Sequence, residues 1–270
     1  MKNTASILGC GWLGLPLAEF LISKGFAVKG STTSPGKLPV MSSKKIESFL
    51  LQLNPELTGD RIKDFFNSEI LIIDIPPGGR DDKVSFHTRQ VRSILGEVKR
   101  SSVSKVIFIS STSVYGNVNR EVTEAEELLP DKESGKALKI VEEMLFAENT
   151  IKKTVIRFAG LVDDDRNPVK FFAGRNNIPG GNIPVNLIHR TDCINIIYQV
   201  IEQNAWNEIF NACSDSHPSK REFYTAAARK LNLPAPEFID TADNYKIVNS
   251  DKLKQRLGYE FVYPDPLKII

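Results

Sequence analysis

Residues 9–14 read Gly9-Cys10-Gly11-Trp12-Leu13-Gly14, a G-x-G-x-x-G spacing. Glycine at those three positions answers three steric needs. Gly9 lets the chain turn sharply at little conformational cost. Gly11 lets a phosphate approach the main chain without meeting a Cβ, and Gly14 lets a helix pack close to a strand. A helix starting there aims its first N–H groups at an anion. The chemistry is pyrophosphate binding, hence a dinucleotide site, although the same glycines would also serve a tight turn with no ligand. A second group is Ser110-Ser111-Thr112-Ser113-Val114-Tyr115-Gly116, a run of hydroxyls directly after an apolar strand. His189 adds a side chain able to titrate near neutral pH.

These residues need elements to position them. Ala5 to Leu8 is a short apolar run before the glycines. Leu13, Leu17, Phe20 and Leu21 recur at helical spacing after them, and Pro16 suits a first helical turn. Gly25 stops that helix and Phe26 to Lys29 begins a second strand. Strand, glycine turn, helix, strand is the context in which the motif binds a dinucleotide. An NAD site places Asp or Glu about 20 residues on, against the ribose 2′-hydroxyl. Here Lys29 to Ser34 reads KGSTTS, with no carboxylate to repel a 2′-phosphate. Ser31, Thr32, Thr33 and Ser34 offer hydroxyls and Lys37 offers charge, which favours NADP over NAD; the same residues would also make a plain polar loop turned by Pro35 and Gly36.

The remaining pattern alternates. A short strand is expected within Lys45 to Leu51 and a helix over Asp60 to Phe66. Glu69 to Ile75 is a continuous apolar strand of the kind buried on both faces. It ends at Pro76-Pro77-Gly78-Gly79, a turn that either lines the cofactor cleft or is a rigid loop. A helix over Asp81 to Arg100, a strand at Lys105 to Ile109, an exposed acidic loop from Glu121 to Asp131, a helix over Ser134 to Asn149 and a strand at Thr154 to Phe158 follow. The expected architecture is α/β, a Rossmann-type doubly wound parallel sheet. Residues 1–160 form the NAD(P)-binding domain. Residues 161–270 form a smaller substrate lobe interleaved with late sheet elements at about 186–212, a strand and helix from Leu187 to Glu202 and a strand at Glu208 to Ala212. Helices are expected over Ser219 to Leu231 and Ser250 to Leu257.

Composition narrows the class. A chain of 270 residues with net charge +2 has no basic surplus for nucleic acid. Its three cysteines, Cys10, Cys193 and Cys213, form no close pair, which suits a reducing cytosol and argues against a disulfide framework or a zinc knuckle. No apolar stretch is long enough for a membrane. Asp163 to Asp165 is expected to be a solvated loop, not a metal site.

With these motifs in place the chain resembles the extended short-chain dehydrogenase/reductase superfamily, the group of NAD(P)-dependent sugar epimerases and dehydratases. The resemblance rests on residues 9–14, on SSTSVYG, on VIRFAGLV from Val155 to Val162, and on LIHRTD from Leu187 to Asp192. It covers nearly the whole chain and marks it as an atypical, divergent branch. It implies that Ser111, with Thr112 beside it, bonds a substrate oxygen. It also implies that a helix carries Tyr-x-x-x-Lys as acid/base and ribose holder, because residues four apart share a helix face. That helix here reads SGKALKIVEEML, Ser134 to Leu145, with no tyrosine. If the downstream acid is Glu143, Gly135 takes the tyrosine's place and Lys139 keeps the lysine. If it is Glu142, the replacements are Ser134 and Leu138. The resemblance puts Tyr115 in a structural turn near the substrate pocket and His189 beside Asp192 at the pocket.

The expected function is an NADP-binding oxidoreductase or epimerase/dehydratase-like enzyme acting on a small polar, sugar-like molecule. Gly9 to Gly14, Ser31 to Ser34, Lys37, Pro76, Pro77 and Lys139 would contact the cofactor. A different reading is a non-catalytic NADP(H) sensor that kept the site and lost the chemistry, and a third is an empty scaffold. Relatives pair through helices equivalent to Asp81–Arg100 and Ser134–Asn149, so a homodimer is expected.

Overall fold

The computed structural model describes residues 3–78, 82–242 and 244–269. Gly79 of the proline turn and Asp81 of the fourth helix lie outside them. The strands are β1 (Thr4–Leu8), β2 (Ala27–Thr32), β3 (Glu47–Leu53), β4 (Leu57–Gly59), β5 (Ile70–Ile73), β6 (Lys105–Ser111), β7 (Arg120–Val122), β8 (Lys152–Phe158), β9 (Gly160–Val162), β10 (Ile178–Pro179), β11 (Leu187–His189), β12 (Glu208–Ala212), β13 (Phe238–Ile239) and β14 (Lys246–Val248). The helices are α1 (Gly14–Ser23), α2 (Leu38–Ser43), α3 (Ile62–Phe65), α4 (Lys83–Val98), α5 (Glu133–Ala147), α6 (Arg190–Glu202), α7 (Lys220–Lys230) and α8 (Asp251–Leu257).

Eight strands form one sheet in the order β12-β8-β6-β5-β1-β2-β3-β4. Every pairing is parallel except β3 with β4. The chain runs outward from β1 to β3 on one side, then crosses back to lay β5 on the other. Strand order therefore reverses between β1 and β5, and ligands of such sheets bind beyond the carboxyl ends of the strands at that reversal. The strands flanking it read as their packing demands. Ile70, Leu71, Ile72 and Ile73 are all buried, because helices cover both faces of a parallel sheet.

Three short parallel pairs hold the later chain: β9 with β11, β7 with β14, and β10 with β13. Residues 208–212 return to the main sheet beside β8, so the late chain supplies its edge strand. Helix ends follow local chemistry. Asp82 caps α4 by accepting from the Ser85 N–H at 2.9 Å, and Ser219 with Glu222 forms a capping box on α7. No helix among the described residues is long and apolar enough to cross a membrane.

Several local expectations change. The third strand starts at Glu47 because Lys45 turns the chain in the left-handed region, and α3 is a single turn because Arg61 does the same before it. The short edge strand β4 has no periodic signature. The acidic loop is not wholly exposed: Val122 is buried, and Glu124 accepts the Asn211 N–H at 2.7 Å.

Candidate active site

The three glycines have different reasons to be glycine. A Cβ on Gly9 (φ +110°) would lie 2.2 Å from the Asp74 carbonyl oxygen, and one on Gly14 would lie 2.2 Å from the Gly9 carbonyl oxygen. The protein's own packing excludes side chains at both. A Cβ on Gly11 would meet nothing within 4 Å. Gly11 is thus unexplained by packing, and the open space above it is what a phosphate approaching the main chain requires. The turn is tied down from β2, where Ser31 accepts the Gly9 N–H on its hydroxyl at 3.0 Å and the Cys10 N–H on its carbonyl at 2.8 Å.

Two cavities lie beyond the strand ends. One, of about 240 Å³, is walled by Leu51, Leu53 and Leu57 and rimmed by Thr33, Ser34 and Lys37. The other, of about 400 Å³, is lined by Trp12, Leu13, Pro77, Ser111, Leu138 and Arg166 among others. They share Gly11, Asp74, Ile75 and Pro76, so they form one groove that crosses the sheet at the glycine turn.

Asp74 sits at that crossing. It follows β5, its carboxyl accepts the Gly14 N–H at the start of α1, and burial raises its pKa from 3.8 to about 7. Sequence reading passed over it as the last polar residue of an apolar strand. Cys10 beside it is an inert thiol, pushed up to about 12 chiefly by burial and next by the Asp74 charge.

Trp12 ties the glycine turn to the loop after β9. Its indole N–H donates to Asp165 at 3.0 Å, and the guanidinium carbons of Arg166 and Arg190 lie over its ring, 4.8 and 4.7 Å from the centroid.

Across 99% of its length and 98% of the relative's, the chain is 34% identical over 271 residues to Protein YeeZ of Escherichia coli (strain K12). The chain belongs to the YeeZ family. No family model matches it. Its fold is that of the extended short-chain dehydrogenase/reductases. A superfamily protein from Agrobacterium tumefaciens with bound NAD superposes with TM-score 0.81 at 17% identity, covering 98% of this chain and 94% of that one. A UDP-glucose 4-epimerase from Thermotoga maritima with UDP-glucose gives 0.81 at 19%, covering 98% and 96%.

Within this YeeZ-family chain the predicted residues sort as follows. Ser111 lines the second cavity, while Thr112 is buried and does not. Ser31 and Thr32 lie inside β2 and are buried; the Thr32 hydroxyl accepts the Ser34 N–H at 3.1 Å, leaving Thr33, Ser34 and Lys37 as the exposed groups. The two registers of α5 are also separated. Glu142 is buried and paired with Arg157 at 2.6 Å, and Leu138, one turn earlier, lines the cavity. Lys139 instead donates to the Leu128 carbonyl at 3.0 Å and lines neither cavity. Gly135 is glycine because a Cβ there would lie 2.2 Å from the Ser113 carbonyl oxygen.

Tyr115 and His189 both make structural hydrogen bonds. Tyr115 is buried, donating to Asn211 at 2.7 Å and accepting from Arg157 at 2.6 Å. His189 is buried at the start of α6, where Nδ1 accepts the Thr191 N–H at 3.2 Å and Nε2 meets Asp163 at 3.1 Å. Asp163, expected to be solvated, is buried against His189 and Arg190. Asp192 is buried as well, holding the Tyr259 hydroxyl at 2.7 Å. Among the described residues no group of three His, Cys, Asp or Glu side chains is placed to hold a metal ion.

Proposed function

We propose that this chain binds a nicotinamide dinucleotide, NADP in preference to NAD, and acts as an oxidoreductase or epimerase-like enzyme on a small polar molecule of the sugar class. The observation that carries the reading is the groove: two cavities joined over Gly11, the glycine that packing leaves unexplained. A two-part ligand with a diphosphate in its middle matches that shape. The apolar wall of Leu51, Leu53 and Leu57 suits an adenine ring. Thr33, Ser34 and Lys37 are exposed on its rim and suit a 2′-phosphate, and the start of α1 suits a diphosphate.

The bound nicotinamide supplies or accepts a hydride. This chain's residues do the rest. Ser111 offers a hydrogen bond to a substrate oxygen, and Leu13, Ile109, Leu138 and Leu161 give the second cavity much of its apolar lining. With Ser134 and Leu138 in the usual acid/base row, the carboxyl among that cavity's lining residues is Asp74. The same Ser134 and Leu138 support a second reading, a dinucleotide sensor without turnover.

Calorimetric titration with NADPH, NADP, NADH and NAD tests the first step. Tighter binding of the phosphorylated pair, weakened at least tenfold by Gly11→Val, and by Lys37→Ala for that pair alone, is the expected result. No binding of any of the four would refute both readings. Hydride exchange with a sugar-like substrate then separates enzyme from sensor.

A further inference from the structure

The loop after β9 carries four charged residues in a row, Asp163 to Arg166, and three of them can be sorted against their partners. Asp163 is engaged by His189 Nε2 at 3.1 Å and by Arg190. Asp165 accepts from Trp12 at 3.0 Å and faces Arg190 at 3.4 Å. Arg166 has no carboxylate partner among the described residues, although Arg190, over the same indole, has two. Its main chain is fixed by mutual hydrogen bonds with Asp163, at 3.0 and 3.4 Å, and its guanidinium lies against Trp12 on the wall of the second cavity. The cation is therefore positioned while its N–H donors remain uncommitted.

We propose that Arg166 receives an anionic group of the substrate, a carboxylate or a phosphate monoester, and so sets the substrate class of the cavity that also holds Ser111. The inference rests on the reading that the groove binds a dinucleotide. A guanidinium presents a planar fork that matches either anion with two parallel hydrogen bonds. The cofactor's own diphosphate is the competing anion. It belongs at Gly11 and the start of α1, where the two cavities meet, whereas Arg166 lines the second cavity and not the first.

The test uses the full chain saturated with NADPH and three probes: glucose 6-phosphate, glucuronate and neutral glucose. The expected result is that one or both anions bind, and that Arg166→Ala and Arg166→Gln weaken them at least tenfold. Arg166→Lys should retain part of the affinity, and binding of NADPH itself should change less than about twofold. Binding of the phosphate alone or the carboxylate alone assigns the group. Because Arg166 is exposed, the variants should melt within about 2 °C of the parent, and Gln keeps a planar group over Trp12. Equal anion affinity in parent and variants, or no anion binding to the NADPH complex, overturns the proposal while leaving the dinucleotide reading intact. A tenfold loss of NADPH affinity in Arg166→Ala also overturns it, by assigning the guanidinium to the diphosphate. Failure of the parent to bind NADPH refutes the underlying reading, and this inference with it.

Discussion

Asp74 places an ionisable group under the point where a diphosphate must cross. Its carboxyl takes the N–H of Gly14, one of the first-turn donors that an anion at the helix start would use. Burial raises its pKa to about 7, so it is mostly neutral at pH 6 and mostly charged at pH 8. Two unit charges about 4 Å apart interact by about 4 kcal/mol at an effective dielectric near 20, equivalent to about three pH units. A bound diphosphate would therefore keep Asp74 protonated across the accessible range. Dinucleotide affinity should fall about fivefold from pH 7 to pH 8 and about eightfold from pH 8 to pH 9, about 1.0 and 1.3 kcal/mol. Asp74→Asn, which cannot ionise, should remove the slope. Cys10 stays neutral over this interval because burial holds its thiol near 12. The assay is calorimetry with NADH at constant ionic strength from pH 7 to 9, a range chosen to sit above phosphate titration. A flat profile for the parent chain, or the same slope in Asp74→Asn, would refute the argument. A stability signature runs alongside. A carboxyl whose folded pKa is raised costs stability as pH rises from its unfolded pKa near 4 to about 7. Asp74→Asn should then melt higher than the parent at pH 8, by no more than about 4 kcal/mol in stability.

The glycine turn should separate folding from binding. Gly9→Ala forces a methyl against the Asp74 carbonyl at a positive φ and should cost on the order of 1–3 kcal/mol or more, seen as a lower Tm. Gly11→Ala should leave Tm within about 2 °C and weaken NADPH at least tenfold, because its methyl enters open space. Glu142→Ala leaves the Arg157 guanidinium buried and uncompensated, since both side chains are 3% exposed, and should cost about 3–5 kcal/mol by urea unfolding. The pair Glu142→Leu with Arg157→Leu should recover much of that loss. His87 is buried, bonded to Gln90 at 3.0 Å, and burial lowers its pKa. The unfolded chain takes up a proton there below about pH 6.5 that the folded chain refuses, so stability falls as pH drops. His87→Gln should reduce the loss between pH 7 and 5.5 by about 1 kcal/mol, measured as the difference between the two proteins.

What the sequence determined by itself is what local backbone chemistry controls. Gly9, Gly11 and Gly14 announce a strand-to-helix turn because steric freedom is a property of the residue, and the isoleucine-rich β5 announces burial on both faces. The alternation of these elements was enough for a doubly wound sheet. The row that lacks its tyrosine was legible as a loss, but not as a register, because Ser134 and Gly135 differ by one position on a helix whose facing is set elsewhere. That facing is set by Arg157 on β8, which pairs with the buried Glu142 while Leu138 lines the cavity and Lys139 bonds the Leu128 carbonyl. Tertiary structure alone brought Asp74 beneath the glycine turn, Leu51 and Leu57 to the wall of the first cavity, and Arg166 onto Trp12. Their neighbours are far along the chain, so no spacing could reveal them. The same distance explains why Asp163, expected in solvent, is buried against His189 and Arg190. A charged run or a phenol shows its chemistry in sequence, but whether it meets water, a guanidinium or a ligand depends on which strands the sheet order makes adjacent.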